Sequence, residues 1–199
     1  MVKIRDSLLE REQKQSRDDR VFILVLAFLT TILLVMYILF THVFFFVLVD
    51  GASMNNTLQH GDGLIANSLA KVDRGDVVII QKGNKLIIKR VIALEGDIVR
   101  IDNLSHKVYI TGKDGVEREL KEDYILSSTT ADYGTTQWLV GKNEVFYMGD
   151  NRRKDKSEDS RLNGCCSLGD VVGVVSDFSI RIKGFTTWLF KITGANVVE

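Results

Sequence analysis

Apolar and polar positions sort this chain into three zones. Residues 1–20 carry six Lys/Arg (Lys3, Arg5, Arg11, Lys14, Arg17, Arg20) against five Asp/Glu, with few apolar residues between them. So little apolar surface predicts a solvated tail or a short frayed helix. Residues 21–40 hold no charge, and only Thr30 and Thr31 are distinctly polar. A helix rises 1.5 Å per residue, so about 20 residues cross the roughly 30 Å hydrocarbon core of a bilayer. A cleaved secretory signal would need a shorter apolar core and a small-residue cleavage site, and no Ala-x-Ala pattern follows here. A buried core helix would show a polar periodicity that this stretch lacks. Residues 21–41 are therefore expected to form a retained transmembrane helix.

The third zone, 42–199, changes character. Residues 42–49 stay apolar, but Val43, Phe44, Phe45, Phe46, Val47 and Val49 are aromatic or β-branched and favour a strand. The rival reading extends the helix to residue 49, which would make it overlong and tilted. From residue 62 onward short apolar runs alternate with turn residues. Gly61-Asp62-Gly63 precedes 64–66, Arg74-Gly75-Asp76 precedes 77–80, and Gly83-Asn84 joins that strand to 86–94 as a hairpin. Gly96-Asp97 leads into 98–101, and a strand over 107–111 is turned by 112–115. Residues 116–137 are polar and read as an irregular insertion or lobe. Strands follow over 144–148 and within 171–182. Such spacing predicts a mostly β domain. The stretch 184–199, with Phe185, Trp188, Leu189, Phe190 and Ile192 beside Lys183 and Lys191, is too short for a second span. It reads either as an interfacial segment or as packing against the β domain.

Charge adds an orientation. Six Lys/Arg precede the helix and none lies between Thr41 and Ala70, so the positive-inside rule puts the N-terminus in the cytoplasm and 42–199 outside. Formal net charge is zero, which gives no electrostatic case for a nucleic-acid partner. The two cysteines, Cys165 and Cys166, are adjacent, a geometry that strains a disulfide. They read as free thiols or a partner-facing pair, and neither metal spacing nor a cofactor motif is present. There is no proline.

Candidate chemistry begins at Ser53, in Asp50-Gly51-Ala52-Ser53-Met54, where small residues would let a substrate backbone come close. A serine hydroxyl needs a base. His42, His60 and His106 are poorly placed for one, at the membrane border and in polar turns. Lys89 lies in Leu86-Ile87-Ile88-Lys89-Arg90-Val91-Ile92-Ala93-Leu94, and successive strand residues face opposite ways, so Lys89 or Arg90 must face inward. A Ser–Lys pair is a known variant of triad logic, and desolvation among aliphatic residues lowers a lysine pKa from about 10.4. Taken by its pattern alone, Lys89 reads as a strand charge snorkelling beside the core. A third stretch, Gly149-Asp150-Asn151-Arg152 followed by Ser157-Glu158-Asp159-Ser160-Arg161, reads alone as a charged loop that can fix another strand's charges by paired hydrogen bonds.

Together these stretches resemble the bacterial type I signal peptidases, membrane-bound Ser–Lys endoproteases, in their Gram-positive form with one N-terminal anchor. The resemblance rests on Ser53-Met54-x-x-Thr57-Leu58, Gly61-Asp62, Arg74-Gly75-Asp76-Val77-Val78, Lys89-Arg90-Val91-Ile92-Ala93-Leu94-x-Gly96-Asp97, and Met148-Gly149-Asp150-Asn151-Arg152 with Ser157-x-Asp159-Ser160-Arg161. It implies a fold of coiled, largely antiparallel β-sheets behind one transmembrane helix. It implies Ser53 as nucleophile, Lys89 as general base and Ser157 orienting the Lys89 amine. Asp159, Arg161 and Arg90 would supply structural ion pairs, and the Ser53 N–H an oxyanion donor. Substrates would be signal peptides of exported preproteins, bound as an added strand, with small residues at the first and third positions before the cut. Val47, Val49, Gly51, Met54, Leu58 and Ile88 match substrate-binding positions of the family. No cofactor is implied, and the bilayer is the expected partner surface.

The chain departs from the family pattern in three ways. Asn56 and Glu95 stand where proline is usual, which frees the unfolded chain by roughly 0.4–1 kcal/mol per site and removes no reacting group. Gly51 replaces a hydroxyl that serves some members as a second oxyanion donor, a contribution of roughly 3 kcal/mol where present. The stretch from Arg152 to Ser157 is longer by a Lys and an Asp. These departures leave open a non-catalytic relative assisting surface or pilus assembly.

Overall fold

The computed structural model describes residues 2–131, 134–176 and 196–199. The chain forms two compact units, Met1–Val43 and Phe44–Glu199.

In the first unit a helix, α1, runs from Val2 to Ile38 and ends in a π-helical turn, Leu39–Val43. Helical backbone thus includes the charged segment expected as a tail. Within α1, Gln15–Ile38 is long and apolar enough to cross a membrane, and it is unburied.

Among the described residues the second unit has twelve strands: β1 Phe44–Val49, β2 Gly63–Asn67, β3 Val77–Lys82, β4 Lys85–Leu94, β5 Ile98–Asp102, β6 Lys107–Thr111, β7 Glu117–Glu119, β8 Gln137–Leu139, β9 Glu144–Met148, β10 Cys166–Ser167, β11 Val171–Val175 and β12 Asn196–Val198. The β3–β4 hairpin is a two-residue loop between paired Lys82 and Lys85, with positive φ at Gly83. The larger sheet runs β10-β9-β4-β12-β1-β2-β11-β3, and β3 also pairs with β4. That extra pairing closes β4, β12, β1, β2, β11 and β3 into a ring without a free edge. Pairing is antiparallel throughout except at β12, which lies parallel to both β1 and β4. The smaller sheet, β7-β6-β5-β8, packs Val99, Ile101, Val108 and Ile110 against Ile92, Phe146 and Met148 of β4 and β9.

Inside the ring, Val47, Val49, Met54, Leu58, Leu64, Ala66, Ile79, Ile88 and Val198 form one apolar cluster. Each strand alternates, so the residues between them turn away. Four strands are additions to the sequence reading: β7 lies inside the region expected to be an irregular insertion, β8 begins at its last residue, and β10 and β12 escaped it. The expected strand over 171–182 is seen as β11 to Val175; its remainder from 177, and 184–195 of the last stretch, fall outside the described residues.

Candidate active site

β1 delivers the loop that follows it into a fixed place. Val49 exchanges hydrogen bonds with the next turn, its N–H donating to Asp62 O at 2.9 Å and its carbonyl accepting from Gly61 N–H at 2.8 Å. Met54 is buried in the ring's core and pins the loop by its side chain. The loop is further tied by Asn151, whose backbone N–H donates to Ser53 O at 2.9 Å and whose side-chain amide donates to Ala52 O at 3.0 Å. The backbone around Ser53 is therefore held from both sides.

β4 brings the amine. Lys89 is only 2% exposed, and its Nζ lies 2.9 Å from Ser53 Oγ. The same amine donates to Ile88 O at 2.9 Å and to Glu199 O at 3.3 Å. Burial dominates its electrostatics and lowers its pKa from 10.5 to about 8, opposed by the nearby Asp159 carboxylate. Desolvation penalises the ammonium, so the neutral amine becomes accessible near physiological pH. An open cleft of about 310 Å³ adjoins the pair, lined by Gly51, Ser53, Ile87, Lys89, Lys156 and Glu158 among others. His60 sits 3.0 Å from Asp50 and His106 is exposed in its turn, whereas the Lys89 amine is in hydrogen-bond contact with Ser53 Oγ.

Two buried ion pairs brace the neighbouring strands. Arg90 forks onto Asp150, Nε to Oδ1 at 2.9 Å and Nη2 to Oδ2 at 2.7 Å. It also donates to Gly75 O at 2.8 Å and stacks 4.0 Å above the Tyr124 ring. Thr57 Oγ1 donates to Asp150 as well, linking the Ser53 loop to the stretch after β9. Arg161 forks onto Asp159 with both bonds at 2.9 Å, and Asp159 accepts from Gly149 N–H at 3.1 Å. A bidentate arginine–carboxylate pair fixes planar geometry at both ends. These pairs set shape rather than add stability, since desolvation of both ions offsets much of their attraction.

A third pair was invisible in the sequence. Arg152, fully buried, reaches Glu122 with both terminal guanidinium nitrogens, and also Thr129 at 3.1 Å and, through Nε, Gly149 O at 2.7 Å. Part of the 116–137 stretch is thus docked onto the loop after β9. The signal, if any, was the unmatched carboxylate of Glu122 in a polar stretch otherwise without pattern.

The remaining expected residues distribute as follows. Val47, Val49, Met54, Leu58 and Ile88 share the ring's core cluster. They were expected to line shallow pockets; the structure buries all five, with Val198 of β12 seated in the same cluster. Gly51 is exposed at the cleft with φ +113, a conformation for glycine alone, so a hydroxyl-bearing residue at 51 would be strained in this loop. Ser157 requires a correction. Its hydroxyl is buried beside Gly149 and makes no hydrogen bond among the described residues, so it does not orient the Lys89 amine here. The longer loop leads into Ser157. It turns through a Lys156 N–H to Arg153 O bond of 3.2 Å with Asp155 at φ 57, which sets where Ser157 enters. Cys165 and Cys166 are free, and burial pushes their thiols up to about 11 and about 12, so neither is a thiolate at neutral pH.

Comparison with known proteins adds a lineage to this geometry. Residues 21–179 match the family model described as signal peptidase, peptidase S26. Signal peptidase I V of Bacillus subtilis (strain 168) is 34% identical over 143 residues, spanning 65% of this chain and 82% of that protein. Signal peptidase I of Bacillus caldolyticus is 33% identical over 156 residues, spanning 72% and 79%. A solved signal peptidase I from Enterococcus faecalis aligns with 55% of this chain and 100% of its own at 26% identity and a TM-score of 0.42.

Proposed function

Because this chain belongs to the signal peptidase family, peptidase S26, we propose that Ser53 and Lys89 are the nucleophile and general base of its reaction. The chain is a membrane-anchored peptidase that removes signal peptides. The observation that carries the residue assignment is the 2.9 Å contact between Ser53 Oγ and a buried lysine amine.

In this reading the neutral Lys89 amine accepts the Ser53 proton as Oγ attacks the scissile carbonyl carbon. The carbonyl oxygen takes the electron pair, and the Ser53 N–H donates to the resulting oxyanion. As the tetrahedral intermediate collapses, the C–N bond breaks and the Lys89 ammonium gives its proton to the departing amine. An ester to Ser53 remains on the signal-peptide side. Water then attacks that ester, Lys89 again taking the proton and later returning it to Ser53. Asn151 holds the nucleophile loop through Ser53 O, and the Arg90–Asp150 and Arg161–Asp159 pairs fix β4 against β9 and the loop after it.

Substrate lies extended beside β1 and β4, supplying a strand to the sheet. Its small side chains at the first and third positions before the cut, in Ala-x-Ala fashion, enter the apolar cluster of Val47, Val49, Met54, Leu58 and Ile88. The anchor places the N-terminus in the cytoplasm and residues 42–199 on the outer face of the cytoplasmic membrane, as the Lys/Arg bias supports.

Ser53→Ala and Lys89→Ala are each expected to abolish cleavage of a fluorogenic Ala-x-Ala signal-peptide substrate while the circular dichroism spectrum stays that of the parent. Normal processing by either variant would remove the assignment.

A further inference from the structure

The ring of strands is closed at one place by a segment remote in sequence from its neighbours. β12, Asn196–Val198, lies between β1 and β4 and parallel to both, with Val47, Leu48 and Val49 opposite Asn196, Val197 and Val198. β3 takes one edge of β4, and β9 covers the other edge from Arg90 onward; β12 fills the part of that edge around Leu86 that β9 leaves. Its backbone is bonded on both sides. Asp50 N–H donates to Val198 O at 2.6 Å, Ile88 N–H to Glu199 O at 2.7 Å, and Glu199 N–H to Leu86 O at 2.9 Å.

The side chains alternate as those of a bound peptide would. Val197 faces out, 54% exposed, whereas Val198 is fully buried among Val47, Val49, Met54, Leu58 and Ile88. Glu199 turns outward again to Lys85, 2.8 Å away, in an exposed pair. Because β1 leads into the Ser53 loop, a strand parallel to β1 points its chain toward the nucleophile. Glu199 lines the cleft with Ser53, and its carbonyl oxygen accepts from the Lys89 amine at 3.3 Å. The segment therefore takes the sheet position, the apolar pocket and one hydrogen bond of the base at the same time.

We infer that residues 196–199 are a built-in occupant of the substrate groove, an autoinhibitory strand that must leave before a signal peptide can bind. This rests on the reading above, in which substrate adds as a strand between β1 and β4. Occupancy reduces apparent affinity by the fraction of molecules with a free groove, so a segment seated nine-tenths of the time raises KM about tenfold. A tethered occupant reaches this level with weak contacts, because its effective concentration is on the order of millimolar.

The test compares three forms of the full chain in detergent: the parent, a variant with residues 196–199 removed, and Val198→Asp. The last places a carboxylate in an apolar pocket and expels the strand without shortening the chain. Both variants are expected to lower KM for a signal-peptide substrate about tenfold, with the gain confined to KM. A free peptide of residues 191–199 is expected to inhibit the shortened form competitively. Unchanged KM in both variants, or a fall in kcat and melting temperature with no fall in KM, would overturn the inference and leave β12 as a structural stave. A second readout separates this from the catalytic assignment. Binding of a labelled signal peptide is measured in a Ser53→Ala background with and without residues 196–199. Tighter binding without the segment upholds the self-ligand even if no form cleaves, and equal binding overturns it even if every form cleaves.

Discussion

Lys89→Met is expected to abolish cleavage and to make the protein more stable. Loss of the general base removes on the order of 10⁴-fold in rate. The stability gain follows from linkage. The folded-state pKa of Lys89 is lowered from 10.5 to about 8 by burial. A lysine shifted down is an unfavourable group for folding wherever the folded state must carry its proton. That penalty is fully present below pH 8 and disappears as pH rises from about 8 to 10.5, where the unfolded chain still binds a proton that the folded one has released. A shift of this size corresponds to about 3 kcal/mol. Methionine keeps the apolar stem and fills a similar volume, and it forfeits the hydrogen bonds to Ser53 Oγ, Ile88 O and Glu199 O, together worth about 2 kcal/mol. The net expectation is a gain of about 1 kcal/mol at pH 7 that shrinks toward pH 10.5. Urea unfolding followed by tryptophan fluorescence reads it, since Trp138 and Trp188 both lie outside the anchor. A variant less stable than the parent at pH 7 would mean that the ammonium is a favourably paired charge, not a base held neutral.

Gly149→Ala is the second large effect, and it acts with no change to any reacting group. Gly149 follows β9 directly, where its N–H is held by Asp159. A Cβ there would stand 2.5 Å from the Ser53 backbone oxygen and collide with Ser157 Oγ. Backbone cannot step aside as the tip of a flexible side chain can. The Ser53 carbonyl, tied to Asn151 N–H at 2.9 Å, must move, and the nucleophile moves with it. A displacement near 1 Å at a reacting centre lowers kcat on the order of 100-fold. Overpacking of this kind also destabilises by about 1–3 kcal/mol. Steady-state kinetics with a melting curve check both parts. A variant with the parent's kcat would show that the position of Ser53 does not depend on the β9 turn.

Much of this architecture can be read from the chain alone, and the reasons are local. β6 and β9 coincide with the residues expected because apolar runs there are bounded by turn residues and pack on one face. The β3–β4 hairpin is legible for the same reason, through Gly83-Asn84. What escapes the sequence is long-range. β12 has three residues and no periodicity, and its strand character exists only because β1 and β4 offer it two parallel edges. The Arg152–Glu122 pair joins residues thirty apart in a stretch without pattern, so 116–137 reads as an insertion although part of it covers the site's flank. Ser157 is the instructive case among the site residues. Its match to the family motif implies a partner for Lys89, but the chain reaches it through a longer loop and its hydroxyl lies beside Gly149.

The missing prolines also acquire a physical meaning. Asn56 takes φ +94, which asparagine tolerates and the proline ring forbids. The nucleophile loop is therefore a different turn from one built on proline at that position. Its rigidity comes from Met54 in the core and from Asn151 across the loop.

The most direct measurement is the pH dependence of kcat/KM for an Ala-x-Ala signal-peptide substrate, which reports groups of the free enzyme. A base that must be deprotonated gives a limb rising tenfold per pH unit and levelling off above its pKa. For Lys89 that midpoint is expected near 8, the value set by its burial beside Ser53. A profile flat from about pH 6 to pH 10, or a limb centred near the histidine value of about 6.5, would contradict a lysine base.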